Sequence, residues 1–273
     1  KGRYFVRRNI VAIIALAIMA VLVLSGCGAS GADKSWEKVK EKGVLVLGLD
    51  DSFPPMGFRD ENQEIVGFDI DAAREVCNRL GINLKLQPID WTAKEQELNT
   101  GNIDCIWNGF TINDERKKNV LFTEPYMDNR QVLVVMADSD YMTLDDLDGK
   151  KVALQAGSSA ADALNSAQNF KDKLADVIEL DDNMTALMDL EKGGVDAVIM
   201  DEVVARYNIQ MQGKNFRVLD EALGTEQYGI GFRKNDKKLM EKVQETLREM
   251  AKDGTLAKIS EKWMGKDVTV LGK

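Results

Sequence analysis

A chain of 273 residues with 44% hydrophobic and 30% charged side chains is long enough for two medium α/β units with cores of their own, and its composition is not that of a disordered or low-complexity segment. A net charge of −9 excludes a basic nucleic-acid-binding face, the more so because four of the basic residues, Lys1, Arg3, Arg7 and Arg8, fall within the first eight positions. Histidine is absent, which removes the commonest general base and metal ligand; with no P-loop, no CxxC and no paired Cys/His set, the expectation is no cofactor, no metal and no nucleic-acid partner.

The first residues read as an address. The basic cluster precedes an unbroken apolar run from Ile10 to Leu24, too short for a comfortable membrane span and suited to a signal h-region. Leu24-Ser25-Gly26-Cys27 then resembles the bacterial lipobox, which implies lipidation of Cys27 and an anchor on the extracytoplasmic face of the cell membrane. An uncleaved anchor with an incidental cysteine is the alternative. Residues 1–27 are therefore read as a lipoprotein signal peptide and lipobox, and residues 28–34 as a flexible tether. Gly26-Cys-Gly-Ala-Ser-Gly31 matches GxGxxG but follows no strand, so it carries no dinucleotide.

From residue 35 an α/β alternation begins. Residues 35–42 read as a short helix, Val44 to Leu49 as an apolar strand, and Asp50-Asp-Ser-Phe-Pro-Pro55 as a turn. A helix over Asp69 to Leu80, stopped at Gly81, leads to a strand over Asn83 to Pro88. A helix over Thr92 to Thr100 precedes a strand over Ile103 to Trp107. The pattern restarts with strands at Gln131–Met136, Val152–Leu154, Val177–Leu180 and Ala197–Met200. Helices at Ser159–Ala167, Met184–Lys192 and Glu202–Gln210 alternate with them, and Leu144 to Lys150 is a short helix and turn. A strand at Tyr228–Phe232 and helices at Leu239–Asp253 and Leu256–Trp263 follow. The expectation is a two-lobed α/β fold with two doubly wound sheets and a two-segment hinge. Residues 35–129 and 226–264 form lobe 1, residues 130–225 lobe 2, and residues 265–273 a C-terminal tail, with ligand in the cleft at the strand C-termini. Cys77 and Cys105 read as structural thiols, a disulfide between them being left open.

Four stretches carry a resemblance that covers nearly everything after residue 34: Gly48-Leu-Asp-Asp-Ser-Phe-Pro-Pro-Met-Gly-Phe58, Gly67-Phe-Asp-Ile-Asp71, Asn108-Gly-Phe-Thr-Ile-Asn-Asp-Glu-Arg116 with Phe122-Thr-Glu-Pro-Tyr126, and Gly194-Val-Asp-Ala-Val-Ile-Met-Asp201. In this order and spacing they resemble the polar amino-acid-binding proteins of bacterial ABC importers. Ala72 is a departure, standing where a larger aliphatic is common. The resemblance implies an α-carboxylate bound by Arg116, by the Ser159 amide at a helix N-terminus and by Thr111. It implies an ammonium bound by Asp201, by the Gly109 carbonyl and by Thr111. It implies a side-chain pocket of Asp50, Phe53, Trp91, Asn108 and Gln155. Each residue also has a plainer reading: a surface arginine in a charged turn, serine and aspartate N-caps, and aromatics packed in a core.

The implied function is capture of a free polar L-amino acid by hinged closure and delivery to the transmembrane subunits of an ABC importer, by a monomer that is not an enzyme. The polar set Asp50, Asn108 and Gln155 favours glutamine, arginine or cystine. The alternatives are an enzyme of the same fold, such as a cyclohexadienyl-type dehydratase, for which Glu202 beside Asp201 is the nearest acid, or an amino-acid sensor domain. Against the sensor reading, no second apolar segment follows Met264.

Overall fold

A computed structural model describes residues 32–273 of the chain; the apolar run Ile10–Leu24 and Cys27 lie outside the described residues. Helix α1 (Ser35–Lys42) leads into β1 (Val44–Leu49), which is buried from Leu45 onward, as an apolar strand covered on both faces must be. Where only a turn was expected, three short strands, β2 (Ser52–Phe53), β3 (Gly57–Arg59) and β4 (Ile65–Val66), form a small antiparallel sheet. Strands of two or three residues are too short to show alternation, and Pro54 and Pro55 read as loop. Helix α2 (Phe68–Leu80), strand β5 (Asn83–Pro88), the 3₁₀ turn Trp91–Ala93 running into α3 (Lys94–Thr100), β6 (Cys105–Ile106), α4 (Arg116–Asn119) and β7 (Val120–Phe122) follow.

The second series comprises β8 (Met127–Met136), β9 (Lys151–Gln155), α5 (Ser159–Ser166), α6 (Gln168–Lys171), β10 (Asp176–Leu180), α7 (Asn183–Glu191), β11 (Ala197–Asp201), α8 (Glu202–Gln210) and β12 (Phe216–Tyr228). The chain then returns through β13 (Gly231–Arg233), α9 (Lys237–Lys252) and α10 (Thr255–Met264). One sheet has the order β5-β1-β6-β13-β7 and the other β10-β9-β11-β8-β12. The expected parallel pairs lie at β1 with β5 and β6, and at β9 with β10 and β11. The sheets are nonetheless mixed, because β13 and β8 run antiparallel to their neighbours.

Those antiparallel strands make the connection between the lobes. β8 and β12 pair from Met127↔Tyr228 to Met136↔Phe216 and form the two segments that carry the chain across and back. β12 was not expected. Asp220 and Glu221 interrupt its apolar pattern, and two register shifts, at Val218/Ala222 and Ala222/Gly224, break its alternation. The single strand expected over Tyr228–Phe232 is divided: Tyr228 ends β12 in one sheet and Gly231 opens β13 in the other. Residues 265–273, expected as a tail, pack on the first lobe: the Val270 amide donates to the Tyr126 carbonyl at 3.0 Å, Thr269 bridges Met127, and Leu271 is buried. Cys77 and Cys105 are buried free thiols, not a disulfide; burial pushes Cys77 up to about 12 and Cys105 upward as well, so neither is a reactive thiolate.

Candidate functional site

Strand ends from both sheets converge on one cleft. β1 delivers Asp50, the segment after β6 delivers Asn108 to Thr111, β9 delivers Gln155, and β11 delivers Asp201, all at or just past the C-terminal ends. The cleft is shut down to about 10 Å³ of free space and is lined by all ten residues expected from the sequence: Asp50, Phe53, Trp91, Asn108, Gly109, Thr111, Arg116, Gln155, Ser159 and Asp201. Ser158 is added to them. The two sides touch directly, so this is a closed conformation. Gln155 Nε2 donates to Asp50 Oδ2 at 2.7 Å, the Thr111 and Ser159 hydroxyls lie 3.1 Å apart, and Lys94 Nζ donates to the Gly157 carbonyl at 2.9 Å.

Arg116 is not a surface residue. It is 6% exposed, its guanidinium carbon lies 4.6 Å from the Phe110 ring centroid, and Nη1 donates to the Thr111 carbonyl at 2.9 Å. Asn113 Oδ1 accepts from the Arg116 amide at 2.8 Å and sets the start of α4. Burial disfavours the cation and lowers its pKa from the usual arginine value, yet a guanidinium stays charged. Among the described residues, no carboxylate forms an ion pair with it within 4.0 Å. A buried guanidinium facing a cleft without a partner anion is costly unless something else supplies the charge.

The capping alternatives for the serine and aspartate are also decided by geometry. Ser158 is the N-cap residue of α5 but makes no side-chain cap; its hydroxyl donates to the Gln155 carbonyl at 2.7 Å, leaving the helix N-terminus without a side-chain cap beside Ser159. Such an end is an anion site through its free amides and dipole. Asp201 holds the N-cap position of α8 and likewise makes no cap bond. Its Oδ1 instead accepts from Asn129 Nδ2 at 2.7 Å and from the Tyr228 hydroxyl at 2.6 Å. Burial first, and then the neighbouring charge of Glu226, push its carboxyl well above the usual carboxylate range.

At the other end of the cleft, Asp50 accepts from the Ser52 amide at 2.8 Å and from Gln155, and burial pushes it up to about 6. Asn108 Oδ1 accepts from the Asp50 amide at 3.1 Å, while its Nδ2 is buried without a partner among the described residues. Phe53 and Trp91 are both buried, and Trp91 meets Phe110 edge-on at 5.8 Å between centroids. Gly109 takes a φ of +56°, and a Cβ there would lie 2.7 Å from the Phe53 ring. Only glycine meets both demands. Its amide is held by Asp69 Oδ2 at 2.7 Å, and the same buried carboxylate accepts from Trp107 Nε1 and the Tyr126 hydroxyl.

The residues sequence reasoning missed lie on the connecting strands. Glu226 of β12 accepts, through Oε1, from Asn129 at 2.7 Å and from Gln131 and Thr111 at 2.9 Å. Asn129 and Gln131, two apart and so on one face of β8, were a legible polar pair within an apolar strand; Glu226 gave no signal because its strand was not recognised. Glu202 is engaged elsewhere: Arg130 grips it with two bonds of 2.6 and 2.7 Å, and that contact lowers its pKa to about 2, which unsuits it as a proton donor.

The chain is 35% identical over 258 residues to the L-cystine-binding protein TcyJ of Escherichia coli, covering 93% of this chain and 96% of that protein. It is similar to the structure of Tv2483 bound to L-arginine, with a TM-score of 0.84 and 35% identity over 88% of this chain and 98% of that one. An ABC uptake transporter substrate-binding protein from Streptococcus pneumoniae with bound histidine gives the same TM-score at 38% identity, over 88% and 99% of the two chains. Residues 45–266 match a family pattern that spans both sheets and every cleft residue, and the chain therefore belongs to the bacterial extracellular solute-binding proteins, family 3.

Proposed function

We propose that this protein captures a polar L-amino acid in the cleft by hinged closure and hands it to the transmembrane subunits of an ABC importer. The observation that carries the reading is Arg116: a buried guanidinium with no carboxylate in ion-pair contact among the described residues, beside a helix N-terminus on the opposite lobe that has no side-chain cap, together the two halves of an α-carboxylate site. Asp201, with Thr111 and Gly109, takes the ammonium. Lobe 1 (35–129 and 226–264) supplies Arg116, lobe 2 (130–225) supplies Ser159 and Asp201, and the ligand gains both sets of contacts only when the lobes meet. A ligand that binds the closed state better than the open one shifts the equilibrium toward it.

The side chain lies between Phe53 and Trp91 with Asp50, Asn108 and Gln155 at its far end. A ligand whose end donates hydrogen bonds suits the Asp50 carboxylate, which favours arginine, glutamine or cystine. An aliphatic side chain strands these groups at about 1–3 kcal/mol each, and glutamate meets Asp50 as a like charge. Calorimetric titration with individual L-amino acids and L-cystine is expected to give the tightest binding within that set. Tightest binding of leucine, isoleucine, valine or glutamate contradicts the pocket assignment.

The lipobox reading places the protein on the outer face of the membrane through a lipid on Cys27. Among the described residues no helix is long and apolar enough to cross a membrane. Cys27→Ala is expected to abolish labelling by a palmitate analogue and to release the protein from membranes or block its processing. Equal labelling of wild type and variant overturns the anchor.

A further inference from the structure

Lys94, the first residue of α3, is not among the residues lining the cleft, yet it is only 6% exposed. Asp90 accepts from the Thr92 amide at 2.8 Å and from the Thr92 hydroxyl at 2.7 Å, and so sets the 3₁₀ turn Trp91–Ala93. That turn brings the Lys94 ammonium back over the Trp91 ring, 5.1 Å from its centroid, where it donates to the Trp91 carbonyl at 2.9 Å. Its second bond, also of 2.9 Å, goes to the Gly157 carbonyl across the cleft. Among the described residues no carboxylate forms an ion pair with it. Burial first, and then the charge of Arg116, lower its pKa to about 8, so at neutral pH it is still largely a cation. The Gly157 carbonyl takes both of its side-chain donors from the opposite lobe, Lys94 and, at 3.5 Å, Arg116 Nη2. The two sides fit closely there: a Cβ on Gly157 would lie 3.4 Å from Thr92 Cα. Gly157, at a φ of +67°, is the turn residue that precedes Ser158, the N-cap position of α5.

We propose that Lys94 is a positioning residue for ligand capture: its ammonium holds the Gly157 carbonyl from the opposite lobe, fixes the turn that presents the α5 N-terminus to the ligand, and so slows reopening of the closed cleft. This rests on the cleft reading above and extends it to a residue outside the cleft lining. The peptide between Gly157 and Ser158 is planar, so anchoring its oxygen also fixes its N–H, which donates to the Gln155 carbonyl at 3.3 Å. The Lys94 bond exists only while the lobes meet, so it contributes to the closed state and not to the open one. Gly157 itself is exposed, so water replaces the donor when the lysine is removed, and the loss is that of one charge-assisted hydrogen bond against water rather than of a stranded acceptor.

The test follows ligand release by stopped flow. The L-amino acids and L-cystine are screened by calorimetry, and the two that bind tightest are used with wild type and with Lys94→Met, which keeps an apolar stem but has no donor. Release is expected to be about three- to tenfold faster in the variant, with association unchanged or faster. A weaker closed state opens sooner, whereas a distorted site also captures its ligand more slowly. The factor is expected to be the same for both ligands, because Lys94 does not line the cleft. Lys94→Arg, a cation able to reach the same carbonyl, is expected to recover most of the slow release. Release within twofold of wild type in Lys94→Met, slowed association, or a defect that Lys94→Arg shares in full overturns the proposal while leaving the amino-acid reading intact. Absence of binding by any amino acid overturns both. If Lys94→Met does not fold, Lys94→Gln is judged by the same criteria.

Discussion

Arg116→Ala is expected to weaken amino-acid binding by about 30-fold to several thousand-fold, the equivalent of roughly 2–5 kcal/mol for truncating one partner of a desolvated charge pair. The expectation is large because the side chain is buried, has no ion-pair partner among the described residues and lies opposite the α5 N-terminus, so the ligand carboxylate is its natural counter-ion. The fold is expected to survive, since within the protein Arg116 gives up only bonds to the Thr111 and Gly157 carbonyls and its stacking on Phe110. Arg116→Lys keeps the charge but loses the planar fork, and so recovers only part of the affinity. Calorimetry paired with thermal melts separates the two effects. A change of less than threefold with an intact melt moves the carboxylate site elsewhere.

The ligand-free protein is expected to lose stability as pH rises from 5 to 7.5. Asp50 is pushed up to about 6 and Asp69 to about 7, in both cases by burial, and Asp201 is raised in the same direction. An acid whose folded pKa exceeds its unfolded value of about 3.9 keeps its proton in the folded state while the unfolded chain has lost it, so stability falls as pH climbs between the two values. The combined effect is roughly 3–6 kcal/mol over this range, at 1.36 kcal/mol per pKa unit. Groups shifted the other way do not cancel it. The carboxyls of Glu202 and Asp253 are lowered by arginine contacts, and their contribution is complete above the ordinary carboxylate range. Lys94, lowered by burial to about 8, carries a penalty that is relieved only above that pH. Thermal melts at constant ionic strength measure this directly. A melting temperature that is flat or rises from pH 5 to 7.5 contradicts it.

The alternation of β1, α2, β5, α3 and of β9, α5, β10, α7, β11, α8 was legible because the strands are short apolar or, in β5, alternating segments and the helices between them carry apolar residues at helical spacing. The cleft residues were legible through the family resemblance, which implied them; in the fold Asp50, Asn108, Gln155 and Asp201 sit at or just past the C-terminal ends of strands. β12 was not legible, because its pairing with β8 passes through two register shifts and carries acidic residues toward solvent. With β12 went Glu226, whose hydrogen bond from Asn129 joins positions 97 residues apart in the chain. Whether Arg116 was surface or site could not be read from its charged neighbours Asp114, Glu115, Lys117 and Lys118. Its burial on Phe110 is a tertiary fact.

A crystal structure of the protein with its tightest-binding amino acid would place the ligand directly. The expected result is an α-carboxylate on the Arg116 guanidinium and the α5 N-terminus, an ammonium against Asp201, and a side chain between Phe53 and Trp91 reaching Asp50. A ligand with its head group reversed, or seated instead in the separate groove lined by Pro55, Tyr207 and Trp263, would contradict the assignment.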